Sequence, residues 1–527
     1  MRRRRPVHDV EVVDEDLDLD LPAPPSPDPA PRRPCRTALT AGAVTVALLG
    51  AVAAQVVTDR GTEDRVRATA ALPGAITPLA GPPRMLQALS GATVRTMQAR
   101  AGDDVVVGVR ESGQGAVRVV AHQGVTGSVA WEVELVDGTT RPGPDRAVDH
   151  VVPASGTCAS LPREEHRVVC LVHDGLWTVT DDVWQAVPAS VARVVVLDTA
   201  DGSVVTELTG PLAPTTSSVL NVVGDLVVVV DPGDPPAVRA VTPDGARAWT
   251  WRGPGTPDEP SPEDPPDRMG HLVEAFPVGD LVGVVTPSTV RLLDTTGDLV
   301  RTVPVPDGHA FWGWQHGRVL LGSDQVERGA SGGPGALGGP GGFGGPGGFG
   351  ALAGLGRPGD DGRDRGTVVV HPGGETRVPG DPVGLVLDDG SVAGLLLTTD
   401  GANLHAWDLD GEATWTAPFD PQHGVLVVDR RVHLSAGADL VTLDARTGEE
   451  VWRADAFTGP VLTDGQHLLT LSVAHTGPAV AALDPRTGEE VWRSPVPDGT
   501  RTLSALHGRL TARTLTAAGD VEVTVLG

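Results

Sequence analysis

Few residues of this chain have the type and spacing that catalysis or metal binding requires. The 15 His are scattered, and none belongs to an HExxH pair. No nucleophile elbow of the GxSxG type is predicted, and a phosphate-binding GxxxxGK[ST] loop is excluded because all 41 basic residues are Arg. The Asp-rich turns lack the Asp/Asn and Gly spacing of a calcium loop. We therefore predict no catalytic, cofactor-binding or metal-binding residues, and no cofactor.

Three cysteines, Cys35, Cys158 and Cys170, are the chain's only thiols. Cys158 and Cys170 stand on either side of a short polar stretch. If this region lies outside the cytoplasm, a disulfide that closes the small loop between them is expected. Two buried free thiols are the alternative. A zinc site is not expected, because two thiols lack the further ligands that zinc needs and no CxxC spacing occurs.

The charge balance argues against nucleic acid as a partner. The formal net charge is -27, whereas binding DNA or RNA requires a basic surface. Such acidity keeps a domain soluble and repels anionic polymers. The lack of Lys, together with the abundance of Ala, Gly, Pro and Val, indicates a high-GC genome of the actinobacterial type.

One apolar segment, residues 37–57, is long enough to cross a membrane. It reads TALTAGAVTVALLGAVAAQVV, and a helix of about 20 apolar residues spans a hydrocarbon core of about 30 Å. Three arginines at positions 32–36 precede it, so the positive-inside rule places residues 1–36 in the cytoplasm and the chain after the segment outside. A cleaved signal peptide is the alternative, since Ala51-Val52-Ala53 has a small-x-small pattern. The long N-terminal region favours an uncleaved, single-pass anchor in the cell membrane.

The segments that flank this helix have simple compositions. Residues 1–36 combine a basic run, an acidic stretch and a Pro-rich stretch, which predicts a disordered cytoplasmic tail. Residues 58–84 are expected to be an extracytoplasmic linker. Residues 85–527 are then left as one folded domain.

That domain is built from repeats. Leu440–Arg453 reads LVTLDARTGEEVWR, and Val480–Arg493 reads VAALDPRTGEEVWR. The two copies are about 40 residues apart, the length of a four-stranded propeller blade. Helical repeats are excluded by the β-branched strands and the Gly turns.

Each residue type in the motif has a structural role. Asp444 is expected to accept hydrogen bonds from the backbone amides ahead of it and so begin a turn. Gly448 supplies a position with φ above zero. Trp452 lies on the returning strand, where its indole is expected to wedge between neighbouring blades. The second copy repeats this arrangement with Asp484, Gly488 and Trp492.

Weaker copies of the motif lie upstream. They are Val117–Trp131, Val194–Val205, Val238–Trp249, Val290–Val300, Val368–Arg377 and Leu404–Trp415. Runs such as GDLVVVV (224–230), GDLVGVV (279–285) and HGRVLLG (316–322) precede several of them and are interpreted as inner strands. We trace eight units between about residue 103 and residue 497, and a shorter final unit at Leu506–Leu526.

The succession of Leu-Asp, Thr-Gly and Trp resembles the pyrroloquinoline-quinone (PQQ)-like repeat family. This resemblance implies an all-β fold, a β-propeller of four-stranded blades in which Trp residues dock adjacent blades. It also implies that the ring closes by pairing the last strands with an N-terminal strand, here expected near Ala92–Ala99. Eight blades are favoured on this basis, and seven are the alternative.

Two stretches interrupt the repeats. Residues 329–356 are too rich in Gly and Pro to fold, so they are predicted to be a disordered loop between two strands of one blade. Residues 254–267 are expected to form a second surface loop, rich in Pro and acidic residues.

The resemblance leaves three functions open. PQQ-dependent dehydrogenases share these repeats, but they need a calcium site and a catalytic Asp, and many carry a disulfide between adjacent Cys. No calcium-binding trio can be assigned here, and no Cys neighbours another. We therefore favour a non-catalytic protein-interaction scaffold that binds unidentified cell-envelope proteins through its extracytoplasmic propeller. A sensor of a small ligand or glycan is the second hypothesis, and a quinoprotein enzyme is the third.

Overall fold

The computed structural model describes most of residues 63–527. Its gaps are residues 73, 103–104, 113–114, 125, 139–149, 154–155, 181–182, 188, 209–219, 232–236, 254–272, 287, 316, 324–365, 456, 473–476 and 517–519. The chain divides into Met1–Thr62 and Glu63–Gly527. The predicted tail (1–36) and membrane helix (37–57) therefore lie outside the described residues. Among the residues that are described, no helix has both the length and the apolar character that a membrane span requires.

The described part of the second unit forms nine blades of a β-propeller, and neighbouring strands within each four-stranded blade run antiparallel. Blades one to three comprise β2 (Ala99–Ala101), β3 (Val105–Glu111), β4 (Val117–Gln123) and β5 (Val129–Val136); β7 (Gly156–Ser160), β8 (Arg167–His173), β11 (Ala192–Asp198) and β12 (Val204–Glu207); and β13 (Leu220–Val223), β14 (Leu226–Asp231), β15 (Ala237–Val241) and β16 (Arg247–Arg252).

Blades four to six follow the same strand order. They comprise β17 (Glu274–Val278), β18 (Leu281–Val285), β19 (Thr289–Leu293) and β20 (Leu299–Pro304); β21 (His309–Gln315), β22 (Arg318–Ser323), β23 (Gly366–His371) and β24 (Gly374–Pro379); and β25 (Asp381–Pro382), β27 (Leu396–Thr399), β28 (Leu404–Trp407) and β29 (Ala413–Ala417).

Blades seven to nine complete the ring. They comprise β30 (Val425–Val428), β31 (Arg431–Ala436), β32 (Asp439–Asp444) and β33 (Glu450–Asp455); β34 (Phe457–Thr463), β35 (Leu468–Ser472), β36 (Ala479–Leu483) and β37 (Glu490–Pro495); and β38 (Thr500–Leu506), β39 (Arg509–Leu515), β40 (Val521–Leu526) and β1 (Met85–Ser90).

The predicted blade number, eight or seven, is wrong. Blade nine is a complete blade made of β38, β39 and β40 with β1 as its fourth strand, and it adds to the eight blades that precede it. The expected position of the closing strand is also wrong. β1 pairs with β40 from Met85↔Leu526 to Ser90↔Glu522, whereas Gly91–Arg95 forms a short helix, α2, capped by the Ser90 hydroxyl.

The burial of each strand follows from its place in the blade. First strands of successive blades are neighbours, as for β7 and β13 or β34 and β38, so they surround the axis and the fourth strands form the rim. Every residue of β14 is buried because neighbouring blades cover both of its faces, whereas β33 on the rim has no buried residue. Hydrophobic clusters join each blade to the next around the ring.

The runs interpreted as inner strands are second strands. GDLVVVV, GDLVGVV and HGRVLLG correspond to β14, β18 and β22, and each has a further strand on its axial side: β13, β17 and β21. Most Val and Leu residues of these runs are buried between two blades, which explains their apolar character. The motif copies, by contrast, are the third and fourth strands of their blades together with the turn that joins them.

Three elements lie outside the regular four-stranded blades. β6 (His150–Pro153), β9 (Leu176–Thr180) and β10 (Val183–Val187) form a separate three-stranded sheet within the connections of blades one and two. β26 (Leu385–Asp388) leaves blade six and pairs in parallel with β30, on the axial side of blade seven. Residues 63–70 form a helix, α1, and the chain that follows it packs against blades eight and nine, where Ile76 is fully buried.

Candidate functional site

The repeat motif forms the contact between blades. Asp444 accepts hydrogen bonds from the backbone amides of Arg446 (2.9 Å) and Thr447 (3.1 Å), so its carboxylate begins the turn between β32 and β33. Gly448 has a φ of 72°. A Cβ atom at Gly448 would lie 2.7 Å from ring atoms of Trp415 in blade six, so only glycine allows this approach.

The second strong copy has the same geometry one blade later. Asp484 accepts from Arg486 N at 2.7 Å, and Gly488 has a φ of 74°. The Trp452 ring lies against Gly488, and its indole Nε1 donates to Pro485 O at 3.1 Å. The predicted docking of Trp452 against the neighbouring blade is therefore seen directly.

Other interfaces use the same arrangement or a substitute for it. Trp131 donates to Thr199 O at 2.8 Å and Trp249 to Thr295 O at 3.0 Å, each against a glycine of the next blade. Thr376 replaces the Trp at blade five and donates to Leu409 O. Thr376 cannot be recognised from the motif, because its hydroxyl meets the Leu409 carbonyl only when the two blades pack together.

Trp492 is the exception among the predicted docking residues. Its blade is followed by blade nine, in which β40 pairs with β1 instead of turning into a fourth strand. The Trp492 Nε1 atom is buried and has no hydrogen-bond partner among the described residues. Its ring lies edge-on to His467, with centroids 6.0 Å apart.

Cys158 and Cys170 form a disulfide with an S–S distance of 2.04 Å. They are direct partners on the paired strands β7 and β8, with Cα atoms 4.1 Å apart. Both side chains belong to the apolar cluster between blades one and two. The disulfide therefore lies inside the propeller and is not a surface feature.

The two faces of the ring differ. Because each blade is antiparallel, its first and third connections lie on one face, and its second connection and the link to the next blade lie on the other. We call these the turn face and the loop face. Most turn-face connections are tight, such as residues 224–225, 279–280 and 445–449. On the loop face, longer stretches of sequence separate successive strand ends, and much of each stretch lies outside the described residues: Val136 and Gly156, His173 and Ala192, Glu207 and Leu220, Arg252 and Glu274, and Ser323 and Gly366.

The predicted Gly-rich segment, residues 329–356, lies outside the described residues. The strands that bound it, β22 and β23, are paired in blade five. The segment therefore connects two strands of one blade, as the sequence indicates. The acidic loop at 254–267 also lies outside the described residues, between β16 and β17.

The segment expected to be a linker, 58–84, is held on the turn face from residue 63 onward; residues 58–62 are not described. Arg65 pairs with Asp429 at 3.2 Å, and Ile76 N donates to Thr463 O at 2.9 Å. The buried carboxylate of Asp464 accepts from Leu79 N at 3.1 Å and lies 3.1 Å from His467 Nδ1. We call residues 63–84 the strap.

Asp464 remains a good acceptor despite its burial. Burial acts to raise the pKa of its carboxyl group, but the hydrogen bonds from His467 and from Leu79 N outweigh this effect and lower the pKa. The carboxylate thus stays charged at neutral pH. Its local signal in the sequence, Asp464-Gly465 before a strand, does not reveal that the distant strap is its partner.

A polar cluster is buried between blades seven and eight. His433 Nδ1 lies 2.7 Å from Thr442 Oγ1. His433 Nε2, Thr470 Oγ1 and Ser472 Oγ are buried without a hydrogen-bond partner among the described residues. Strand alternation directs all four side chains into this interface. Burial lowers the pKa of His433 to about 3, so its imidazole is neutral.

These features define a nine-bladed β-propeller in which Trp residues dock neighbouring blades and the strap packs on the turn face. Residues 364–526 match the family described as outer membrane protein assembly factor BamB, a family of PQQ-like repeats. The predicted resemblance to PQQ-like repeats is thereby confirmed for this part of the chain. None of the curated proteins matches the chain.

Solved structures give weak overall likenesses. BamB from Moraxella catarrhalis is 14% identical, covers 84% of this chain and 97% of its own, and has a TM-score of 0.39. Quinohemoprotein alcohol dehydrogenase from Comamonas testosteroni is 11% identical, covers 85% of this chain and 76% of its own, and has a TM-score of 0.36. At TM-scores this low, neither likeness carries an argument about this chain.

Proposed function

We propose that this protein is a non-catalytic scaffold at the cell envelope, anchored by one membrane helix, whose loop face binds partner proteins. The observation that carries the proposal is the contrast between the two faces. The described turn-face connections are mostly short, hydrogen-bonded turns, whereas longer stretches of sequence separate the strand ends on the loop face. Rigid scaffolds commonly bind partners through such connections.

The path of the strap supports this difference between the two faces. The described chain enters the propeller at residue 63, beside the turns that contain Asp429 and Gly465. The strap thus covers part of the turn face, and the loop face is the surface that we propose for partners.

The packing of the axial strands weighs against a ligand sensor, because a sensor requires a polar, aromatic-lined pocket at the axis. On the axial side of blade seven, β26 places Leu385 and Leu387 in buried, apolar surroundings. The aromatic first strand of blade five is used for packing. Phe311 stacks on Phe276 with ring centroids 4.9 Å apart, and Trp314 lies 6.4 Å from Phe276.

Site-specific crosslinking in intact cells tests the proposal. A photoreactive amino acid placed at the exposed loop-face positions Ala402, Ala438 and Asp498 is expected to capture partner proteins. The matched turn-face positions are Ala200 and Arg446. Adducts from the loop-face set alone support the proposal, whereas adducts confined to the turn-face set overturn it.

A thermal-shift assay tests the non-catalytic part separately. The full chain is heated with and without pyrroloquinoline quinone plus calcium. A ligand at about a hundredfold its dissociation constant adds roughly 2.7 kcal/mol to the free energy of unfolding, so binding would raise the midpoint visibly. An unchanged midpoint is expected, and a clear rise would favour the quinoprotein alternative.

A further inference from the structure

The interface between blades seven and eight holds three buried polar atoms that have no hydrogen-bond partner among the described residues. They are His433 Nε2, Thr470 Oγ1 and Ser472 Oγ. All three residues are 0% exposed, so bulk water does not reach these atoms. Nearly all buried polar atoms of folded proteins bond to protein groups or to ordered water, because an unpaired one is strongly unfavourable. Three unpaired atoms at one interface therefore point to a bound partner.

Contacts between the two blades bring these atoms to the same region. Ser435 lies two residues beyond His433 on the same face of β31. Its hydroxyl donates to Gly459 O in β34 of blade eight at 2.6 Å, so this face of β31 is turned toward blade eight. The Trp452 ring lies on the rim side of the interface, with its centroid 6.2 Å from that of the His433 ring.

The first strand of blade eight bulges at this level. β34 pairs with β35 up to Thr458, and the pairing resumes only at Leu462. The residues between them leave the ladder beside Thr470. Ser472 lies two residues further along the same face of β35. The hydroxyl groups of blade eight and the imidazole of blade seven therefore meet beside an interruption of the ladder.

The chemistry of the three groups selects the kind of partner. Burial lowers the pKa of His433 to about 3, so its imidazole is neutral. Its Nδ1 lies 2.7 Å from Thr442 Oγ1, which leaves Nε2 for a second partner. A neutral imidazole and hydroxyl groups offer both donors and acceptors but no charge. Such a set suits water, whereas a buried ion would lack a compensating charge.

We propose that ordered water occupies this interface and bridges His433 Nε2 to the hydroxyl groups of Thr470 and Ser472. A buried water molecule makes about three hydrogen bonds in folded proteins, and the three atoms supply that number. The water joins blade seven to blade eight through polar contacts at an interface that is otherwise apolar. This inference does not depend on the proposed scaffold function.

X-ray radiolytic footprinting of the full-length protein in amphipol tests the proposal directly. Hydroxyl radicals that form from bound water oxidise the side chains beside it, even where bulk solvent has no access. His173 is the matched control, because it is also 0% exposed and its Nδ1 accepts from Gly175 N. With bound water beside it, His433 is expected to be oxidised at least roughly threefold faster than His173. Equal rates for the two residues would overturn the proposal.

A pair of isosteric variants tests the bridge separately. Thr514 Oγ1 is also buried without a hydrogen-bond partner, the only such atom in the described part of blade nine. Thr470→Val is expected to lower the thermal midpoint, because the water loses a partner. Thr514→Val is expected to leave the midpoint unchanged or to raise it, because only an unpaired group is removed. A midpoint for Thr470→Val that is unchanged or raised would overturn the proposal.

Footprinting of the Thr470→Val variant separates the loss of water from a simple loss of packing. Oxidation of His433 is expected to fall toward the rate of His173 when the bridge is broken. A lowered midpoint with unchanged oxidation of His433 would show that the hydroxyl of Thr470 does not hold the water, and would also overturn the proposal.

Discussion

The approach of Gly448 to Trp415 gives a quantitative test of how the blades are held together. Gly448→Ala adds a methyl group at a φ of 72° and 2.7 Å from the Trp415 ring. The left-handed backbone alone costs about 1–2 kcal/mol with a side chain present. The overlap adds about 1–3 kcal/mol, because the Trp415 ring is 7% exposed and its Nε1 donates to Ala445 O.

Gly437 is the matched control for this change. It lies in the same blade with a φ of 66°, and a Cβ atom there would meet nothing within 4 Å. Gly437→Ala is therefore expected to show the backbone cost alone. The difference between the two variants isolates the overlap with Trp415.

Denaturant unfolding of the full chain, read by far-UV circular dichroism, measures the total loss. Hydrogen exchange in β29 and β32 shows whether the loss is local to blades six and seven. Combining Gly448→Ala with Trp415→Leu should cost less than the sum of the two single changes, because the smaller side chain relieves the overlap. Equal losses for Gly448→Ala and Gly437→Ala would refute the docking argument.

Three further predictions concern groups inside the ring. Burial lowers the pKa of His433 to about 3, so between pH 6.5 and 3 the unfolded state binds more protons than the folded state. The stability that this group contributes is complete above that window. It decreases by about 1.4 kcal/mol for each pH unit by which the pH is lowered through the window. A His433→Leu variant should give a flatter pH profile, and an unchanged slope would contradict the assignment. Reducing the Cys158–Cys170 disulfide should lower the free energy of unfolding by about 2–4 kcal/mol, measured by denaturation with and without reductant; no change would contradict its role. Asp464→Asn should expose the strap to trypsin at lower denaturant by weakening its buried hydrogen bonds by about 1–3 kcal/mol. Asp429→Asn removes only an exposed ion pair and should change protection by under about 1 kcal/mol; equal effects would contradict the role of Asp464 in holding the strap.

The blade unit is determined by the sequence itself. The Asp444 carboxylate, the positive φ of Gly448 and the alternation along β32 and β33 all act within one short stretch of chain. Local hydrogen bonding is enough to specify such a turn. The same reasoning correctly predicts the role of Trp452, because an apolar ring on a returning strand must be covered by the next repeat.

The number of blades and the partners of distant groups depend on the tertiary structure. β1 is separated from β40 by almost the whole propeller, and no local pattern in Met85–Ser90 marks it as the closing strand. The parallel pairing of β26, the capture of Leu79 by Asp464 and the replacement of Trp by Thr376 likewise join residues far apart in the sequence. Such contacts are fixed by how successive sheets pack around the axis, since packing decides which exposed donors and acceptors meet. The sequence alone therefore determines the repeated unit, and the closed ring decides how many units fit and what covers their edges.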